Sequence, residues 1–224
     1  MGEGTLAVNF FRGRTSIVIP PTELPLDVPY VRDYHLRCVN GAVEDLYIEN
    51  LIKASVSAGE QFTQRAWMPQ TRSLTLSAFT DDIQIPYPPF ISMVSVSYLD
   101  GDGISQVLDP TDYQVMAPKG PFAQPAILRN MSGGTWPTLY SDTLEAVTLT
   151  YECGYVDYES PPNPDVPDGL LQGALLMIGE LYKVRSVSVH TINQNPSIIG
   201  HEAMWNPYRV LDLLHRYTQG WTSL

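Results

Sequence analysis

The spacing of hydrophobic residues changes period twice along this chain, from steps of three and four to steps of two and back. Val43, Tyr47, Leu51, Ala54, Ala58 and Phe62 recur at helical intervals, flanked by Leu46, Ile48 and Ile52. This stripe predicts a helix over 42–65, with Glu44 and Asp45 in its first turn, where negative charge is favourable against the helix dipole. Upstream, Asp27 suits an N-cap, Pro29 suits a first turn, and Leu26 can staple against Val31. A shorter helix is expected there, ending near Cys38 before the Asn40-Gly41 breaker.

After Pro69 the period becomes two. Leu74, Leu76 and Ala78 alternate with Thr75 and Ser77, and Ile83 and Ile85 follow. Val94, Val96 and Tyr98 run into Asp100-Gly101-Asp102-Gly103 and then Val107, which predicts a hairpin. Tyr113, Val115, Ile127, Val147, Leu149 and Tyr151 supply further strands, so 70–155 reads as an antiparallel β-rich unit closed by Pro161-Pro162-Asn163-Pro164. Helical spacing then returns, with Pro167 in the first turn and Leu170, Leu171, Ala174, Leu175, Ile178, Leu181 and Tyr182 on one face.

The two ends read differently. The first 25 residues suggest an extended arm with a strand at Ile17-Val18-Ile19, since Pro20, Pro21 and Pro25 prevent a helix. Residues 186–205 suggest a long loop, and Asn206-Pro207 opens a last helix carrying Tyr208, Val210, Leu211, Leu213 and Leu214. Gly220 stops that helix before Trp221 and Leu224. The expected fold class is α+β: a helical bundle base at 26–69 and 165–217, interrupted by an antiparallel β-rich insertion at 70–160. An extended N-terminal arm (1–25) and a C-terminal tail (218–224) complete it.

Composition narrows the function. Of 224 residues, 44% are hydrophobic and 17% charged, enough apolar material for a sizeable core. A net charge of −11 opposes a surface that embraces DNA phosphates. Cys38 and Cys153 lack metal-ligand spacing and are expected as reduced thiols in a cytosol. The start Met1-Gly2-Glu3-Gly4 has no signal-peptide character, and no long apolar run suggests a membrane span.

Candidate chemistry is thin. His35, His190, His201 and His215 are dispersed without metal-site spacing, and His201-Glu202 has no accompanying nucleophile motif. Asp100-Gly101-Asp102-Gly103 superficially matches a calcium loop, but Ile104 stands where an oxygen ligand is needed and Thr111 where a bidentate Glu is needed, so a turn is expected. Glu44, Asp45 and Glu49 suggest a solvated helix face, and Trp136-Pro137 a packed loop anchor. No nucleotide-binding motif occurs. No catalytic residue, metal or cofactor is expected, and the chain does not read as an enzyme.

A series of short words in fixed order carries a resemblance. They are His35-Leu36-Arg37, Glu44-Asp45, Leu51-Ile52-Lys53-Ala54 and Thr63-Gln64-Arg65, then Ile85-Pro86-Tyr87-Pro88-Pro89 and Val94-Ser95-Val96-Ser97-Tyr98. Asp100-Gly101-Asp102-Gly103, Tyr113-Gln114-Val115, Trp136-Pro137, 146–151 with Gly154-Tyr155, Val166-Pro167 and Pro207-Tyr208-Arg209 follow. The order, over about residues 31–210, resembles the head–tail connector (adaptor) family of tailed bacteriophages. The family often has Gly where Gln64 stands, and the arm and the 186–205 loop depart from its pattern.

The resemblance implies a virion protein assembled in the host cytoplasm as a homo-oligomeric ring, normally of twelve copies. That ring would sit under the portal protein, extend the DNA channel without specific DNA binding and dock a tail or stopper (neck) protein, with no membrane involved. Candidate portal contacts are Tyr208, Arg209, Arg216, Tyr217, Trp221 and Leu224. The last helix has apolar residues on more than one side, its arginines suit carboxylates, and Trp221 near a chain end suits a partner pocket. The stretch from Tyr217 to Leu224 is expected to be dispensable for folding and needed for portal attachment. Two alternatives remain open: another neck or tail-terminator ring protein, and a small cytosolic hydrolase.

Overall fold

The structure is a computed structural model that describes residues 13–184, except 39–40, 132–133, 142, 158 and 160–162, together with Tyr217. Two sheets and a helical layer share the described residues. The larger sheet has the order β1-β2-β8-β4-β5, from β1 (Arg14–Ile19), β2 (Gln70–Leu76), β8 (Val147–Cys153), β4 (Phe90–Leu99) and β5 (Ser105–Val107). The smaller has the order β3-β7-β6, from β3 (Asp82–Ile85), β7 (Ala126–Asn130) and β6 (Tyr113–Met116). Every pairing is antiparallel.

The alternation read from the sequence locates most of these strands, but not their division into two sheets. In the larger sheet Leu74 pairs with Leu149 and Leu149 with Val96, a row of three fully buried side chains across its centre. Val94 breaks the pattern and is 56% exposed. A register shift between Met93 and Ser95 inserts an extra residue there, which turns Val94 out of the inward row. The Asp100-Gly101-Asp102-Gly103 segment does make the turn between β4 and β5. Asp100 Oδ1 accepts from the Asp102 and Ile104 N–H groups at 3.1 and 3.0 Å, and Gly103 supplies φ 78°.

Residues 14–19, within the segment read as an arm, pair with β2 and form the outer strand of the larger sheet. The first helical segment ends near Cys38 as expected but is looser than the sequence suggests. Asp27 caps α1 (Val28–Tyr30) by accepting from Tyr30 N–H at 3.2 Å, but the chain then widens into a π turn over Val31–Leu36. Arg37 ends it in the left-handed region at φ 53°, with Cys38 N–H donating to Arg32 C=O at 3.0 Å. Leu26 and Val31 both reach the helical core, as a staple should.

Helix α2 (Asp45–Thr63) buries Leu51 of its expected stripe with the flanking Ile48 and Ile52, and Tyr47, Ala58 and Phe62 pack against the same core. Val43, in the turn before the helix, and Leu46 are 89% and 71% exposed, whereas Ile48, Leu51, Ile52, Ser55, Gly59 and Thr63 face the core. Trp67 explains why small and polar residues share the buried face. A Cβ on Gly59 would lie 2.3 Å from the indole Cζ2, so only glycine admits the ring against the helix. Trp67 Nε1 donates to Thr63 Oγ1 at 3.2 Å, and Thr63 in turn donates to Gly59 C=O at 2.7 Å. Small and polar residues therefore occupy the buried face because a large aromatic fills the space.

Gln64 closes α2 at φ 54° and ψ 36°, the left-handed C-cap position that glycine occupies without strain. Its side chain donates to Gln61 C=O at 2.6 Å. Helix α3 (Asp168–Val184) packs on α2 and buries Leu170, Ala174, Leu175, Met177 and Ile178, close to the expected face.

Candidate docking site

The helical and β layers meet where β2 leaves the end of α2, and the junction is polar. Glu60 accepts from Trp67 N–H at 2.7 Å and from Gln70 Nε2 at 2.9 Å, with Arg72 Nη2 at 3.9 Å. Arg72 lies 3.7 Å over the Tyr87 ring centre. Burial raises the Glu60 carboxyl above the ordinary range, outweighing these donors. None of these roles was read from the sequence. The signal available was a row of charged and amide residues among apolar neighbours, which a periodicity scan scores as solvent-facing.

Arg65, the last residue of Thr63-Gln64-Arg65, is only 1% exposed. Its Nε donates to the backbone carbonyl of Tyr217 at 2.5 Å, across 152 positions of sequence. Burial lowers the Arg65 pKa, with Tyr155 and Tyr217 opposing that shift. Tyr217 is itself buried in the helical core cluster beside Trp67, Tyr155 and Leu170. Its ring stacks on Phe122 with centroids 5.0 Å apart, and a Cβ on Gly169 would lie 2.7 Å from its hydroxyl oxygen. Tyr155 donates its hydroxyl to Pro121 C=O at 2.8 Å and lines an open pocket of about 570 Å³ with Pro121, Asp165 and Pro167.

Of the six candidate portal contacts, Tyr208, Arg209, Arg216, Trp221 and Leu224 lie outside the described residues, as do the last helix and His190, His201 and His215. Tyr217 faces the subunit's own core. It was expected to begin a stretch dispensable for folding, and its ring lies in the space between Phe122 and Gly169.

The other singled-out residues have structural partners. Asp45 accepts from Arg32 Nη1 at 2.8 Å, Glu49 pairs with Lys53, and the Tyr182 hydroxyl donates to Glu44 Oε2. The His35 Nε2 contacts Leu175 C=O at 2.7 Å. Trp136 stacks on Phe79 at 4.3 Å and donates to Thr80 C=O, which makes it a loop anchor. Cys38 and Cys153 are free thiols, and burial pushes the Cys153 thiol up to about 12. Among the described residues no group of three or more His, Cys, Asp or Glu could hold a metal ion, and no helix is long and apolar enough to cross a membrane.

Apolar side chains are also left uncovered. Ile17, Val18 and Ile19 of β1 are 49–56% exposed on the outer strand of the sheet. Tyr30 and Tyr34 stack on one another at 5.7 Å on the outside of the π turn, with Tyr34 74% exposed.

No family model and no curated protein matches the chain. Its fold is similar to that of subunits in solved particles. One, from the neck of an empty gene transfer agent (GTA) particle computed with C6 symmetry, has a TM-score of 0.65 and 22% identity over 92% of this chain and 95% of that one. Another, from the virion of a native gene transfer agent particle, has a TM-score of 0.64 with the same identity and coverage. A third, from the neck of the native particle computed with C12 symmetry, has a TM-score of 0.58 and 17% identity over the same shares. The similarity covers both layers and is a similarity of fold.

Proposed function

We propose that this chain is a structural neck subunit of a phage-like particle: a head–tail connector (adaptor) that forms a ring under the portal, extends the DNA channel and docks tail components. It catalyses no reaction. The supporting observation is the similarity of fold, along 92% of the chain, to subunits from particle necks computed with C6 and C12 symmetry. A ring of twelve copies fits both symmetries.

The residues favour the same reading. A ring is built from one heterologous contact repeated until it closes, so each subunit must offer surface that is not self-satisfied. Strand β1 does this, since it ends the sheet with three consecutive branched aliphatics and no charge after Arg14. The net charge of −11 suits a channel that DNA passes without adhering.

The test mixes purified protein with portal-bearing heads, measures co-sedimentation and images the product. Rings on the portal vertex, weakened by Ile17→Asp and Ile19→Asp together, are expected. Protein that ignores heads but caps isolated tails is a tail terminator. Protein that binds neither, yet turns over ester or phosphate substrates, is a hydrolase.

A further inference from the structure

We propose that the two edge strands of the larger sheet, β1 and β5, pair in parallel between neighbouring copies of this chain, so that the sheet continues around the ring. This rests on the connector reading above, whose ring needs one surface of each subunit to meet a different surface of the next. The order β1-β2-β8-β4-β5 sets two such surfaces at opposite ends of one sheet.

Both edges are unguarded. Among the described residues no strand lies outside either one. Thr15 to Ile19 and Ser105 to Val107 carry no charge, and Val107 is 70% exposed. Sheet proteins ordinarily block such edges with charge, because an open edge recruits another strand. The backbone of β5 is turned outward as well. Asp100 N–H donates to Ile104 C=O at 3.0 Å and Leu108 N–H to Val96 C=O at 2.8 Å, so inward bonding falls on Ile104, Gln106 and Leu108. Ser105 and Val107 therefore direct their N–H and C=O groups away from β4. The same alternation, carried through the registered pairs to β2, leaves Thr15 and Ile17 as the outward residues of β1.

Topology fixes how the two edges meet. Every pairing is antiparallel, so in a row of five the first and last strands run the same way. Rotation about the ring axis preserves each strand's sense along that axis, so β1 of one copy meets β5 of the next in parallel. Arg14, which opens β1, then comes to the same end as Asp102 in the turn that opens β5. Side-chain faces set the register. Val107 pairs with Ser97, Ser97 with Thr148, Thr148 with Thr75 and Thr75 with Arg14, so Val107 shares a face with Arg14 and Ser16. Ser16 beside Val107 keeps all of β5 against the regular part of β1, ahead of the register shift after Ile17. Val107 then lies between the outward groups of Thr15 and Ile17 and can bond both. Five strands span about 24 Å, and twelve copies close a sheet of roughly 45 Å radius, wide enough for a DNA duplex inside.

The test combines Ser16→Cys with Val107→Cys and oxidises the protein on portal-bearing heads. Non-reducing gels should show a ladder of multimers ending at the closed ring. Ile17→Cys with Val107→Cys puts the thiols on opposite faces and should give at least about tenfold less product. Wild type, with Cys38 and Cys153, and each single variant should give no ladder. All three positions are exposed, so the variants should melt with wild type. Wild-type protein gives a second reading without substitution: the Ser105 and Val107 amides should exchange at least about tenfold more slowly on heads than in the lone subunit. Head-bound protein that neither cross-links nor slows exchange overturns the pairing and leaves the connector reading intact. Dimers from Ser16→Cys alone would mean that β1 meets β1, which also overturns it. A ladder from protein that ignores heads keeps the pairing and removes the connector reading. Protein that neither cross-links nor binds heads overturns both.

Discussion

The two cores of this protein are built on different rules. In the β layer, burial follows the alternation of apolar residues, and the row Leu74, Leu149 and Val96 places one aliphatic from each of three strands at the same level. In the helical layer, the buried face of α2 carries Ser55, Gly59 and Thr63, and two of the largest fully buried side chains nearby are Trp67 and Arg65. Meanwhile Val43 and Leu46 point outward. A sheet core assembled from many medium-sized side chains advertises itself in the sequence. A helix that leaves a slot for one large aromatic must put small residues where an apolar stripe is expected.

Val96→Asp tests the first rule and carries the largest expected effect. The aspartate would stand between Leu149 and the rest of the β core with no cation in its row, a cost of about 3–5 kcal/mol. Thermal or urea unfolding measures it. A folded variant with an unchanged midpoint would show that Val96 does not face the core.

Gly59→Ala tests the second rule. A single methyl on an exposed helix would be mildly stabilising, yet here it meets the Trp67 indole within van der Waals distance. Overpacking of about 1–3 kcal/mol is expected, with a change in Trp67 fluorescence. Stability equal to or above wild type would mean that the indole does not pack on the glycine.

Gln64→Gly goes in the opposite direction within the same layer. A non-glycine residue at φ 54° is strained, and its removal should stabilise by about 1 kcal/mol despite loss of the bond to Gln61 C=O. Unfolding curves measured beside those of Gly59→Ala would show one glycine that is required and one that is missing, five residues apart.

What was legible in the sequence follows from these rules. The strands, the hairpin at Asp100-Gly101-Asp102-Gly103 and α3 were visible because side-chain period and turn chemistry are local properties. The second sheet was not visible, since strand partnership is set by long-range packing, and the extra residue at Val94 leaves no local mark. The slot at Gly59 in the buried face of α2 depended on Trp67, which lies beyond the helix. Of the candidate docking residues, Tyr217 was noticed as an aromatic, but its partner Arg65 stands 152 positions away, and no spacing in the sequence links them.

Glu60 gives the polar junction a pH signature. Its folded-state pKa is raised by burial, so between the ordinary carboxylate value and the raised one the folded protein holds the proton more tightly than the unfolded chain. Stability from this group is present below that window and falls as pH rises through it. Asp82 and Asp100 have lowered values and work the other way, losing their contribution as pH falls toward and below the ordinary value. Glu60→Gln should flatten the fall in stability on the upper side while leaving the acid limb intact. An unchanged pH profile of unfolding would place Glu60 in contact with water.

The smallest expected effect sharpens the comparison most directly, because it tells the two flanks of the α2 stripe apart. If Leu46 faced the core, Leu46→Ser would empty a buried site and cost roughly 2–3 kcal/mol. In the structure Leu46 is 71% exposed and directly follows Asp45, whose carboxylate already holds Arg32, so the change touches no packed neighbour of the helical core. Stability should then stay within about 0.5 kcal/mol of wild type. Measured beside Ile48→Ser, which removes a fully buried side chain two positions along the same helix, the pair reads out the two flanks as a large difference. Equal losses at the two positions would mean that Leu46 is packed as closely as Ile48.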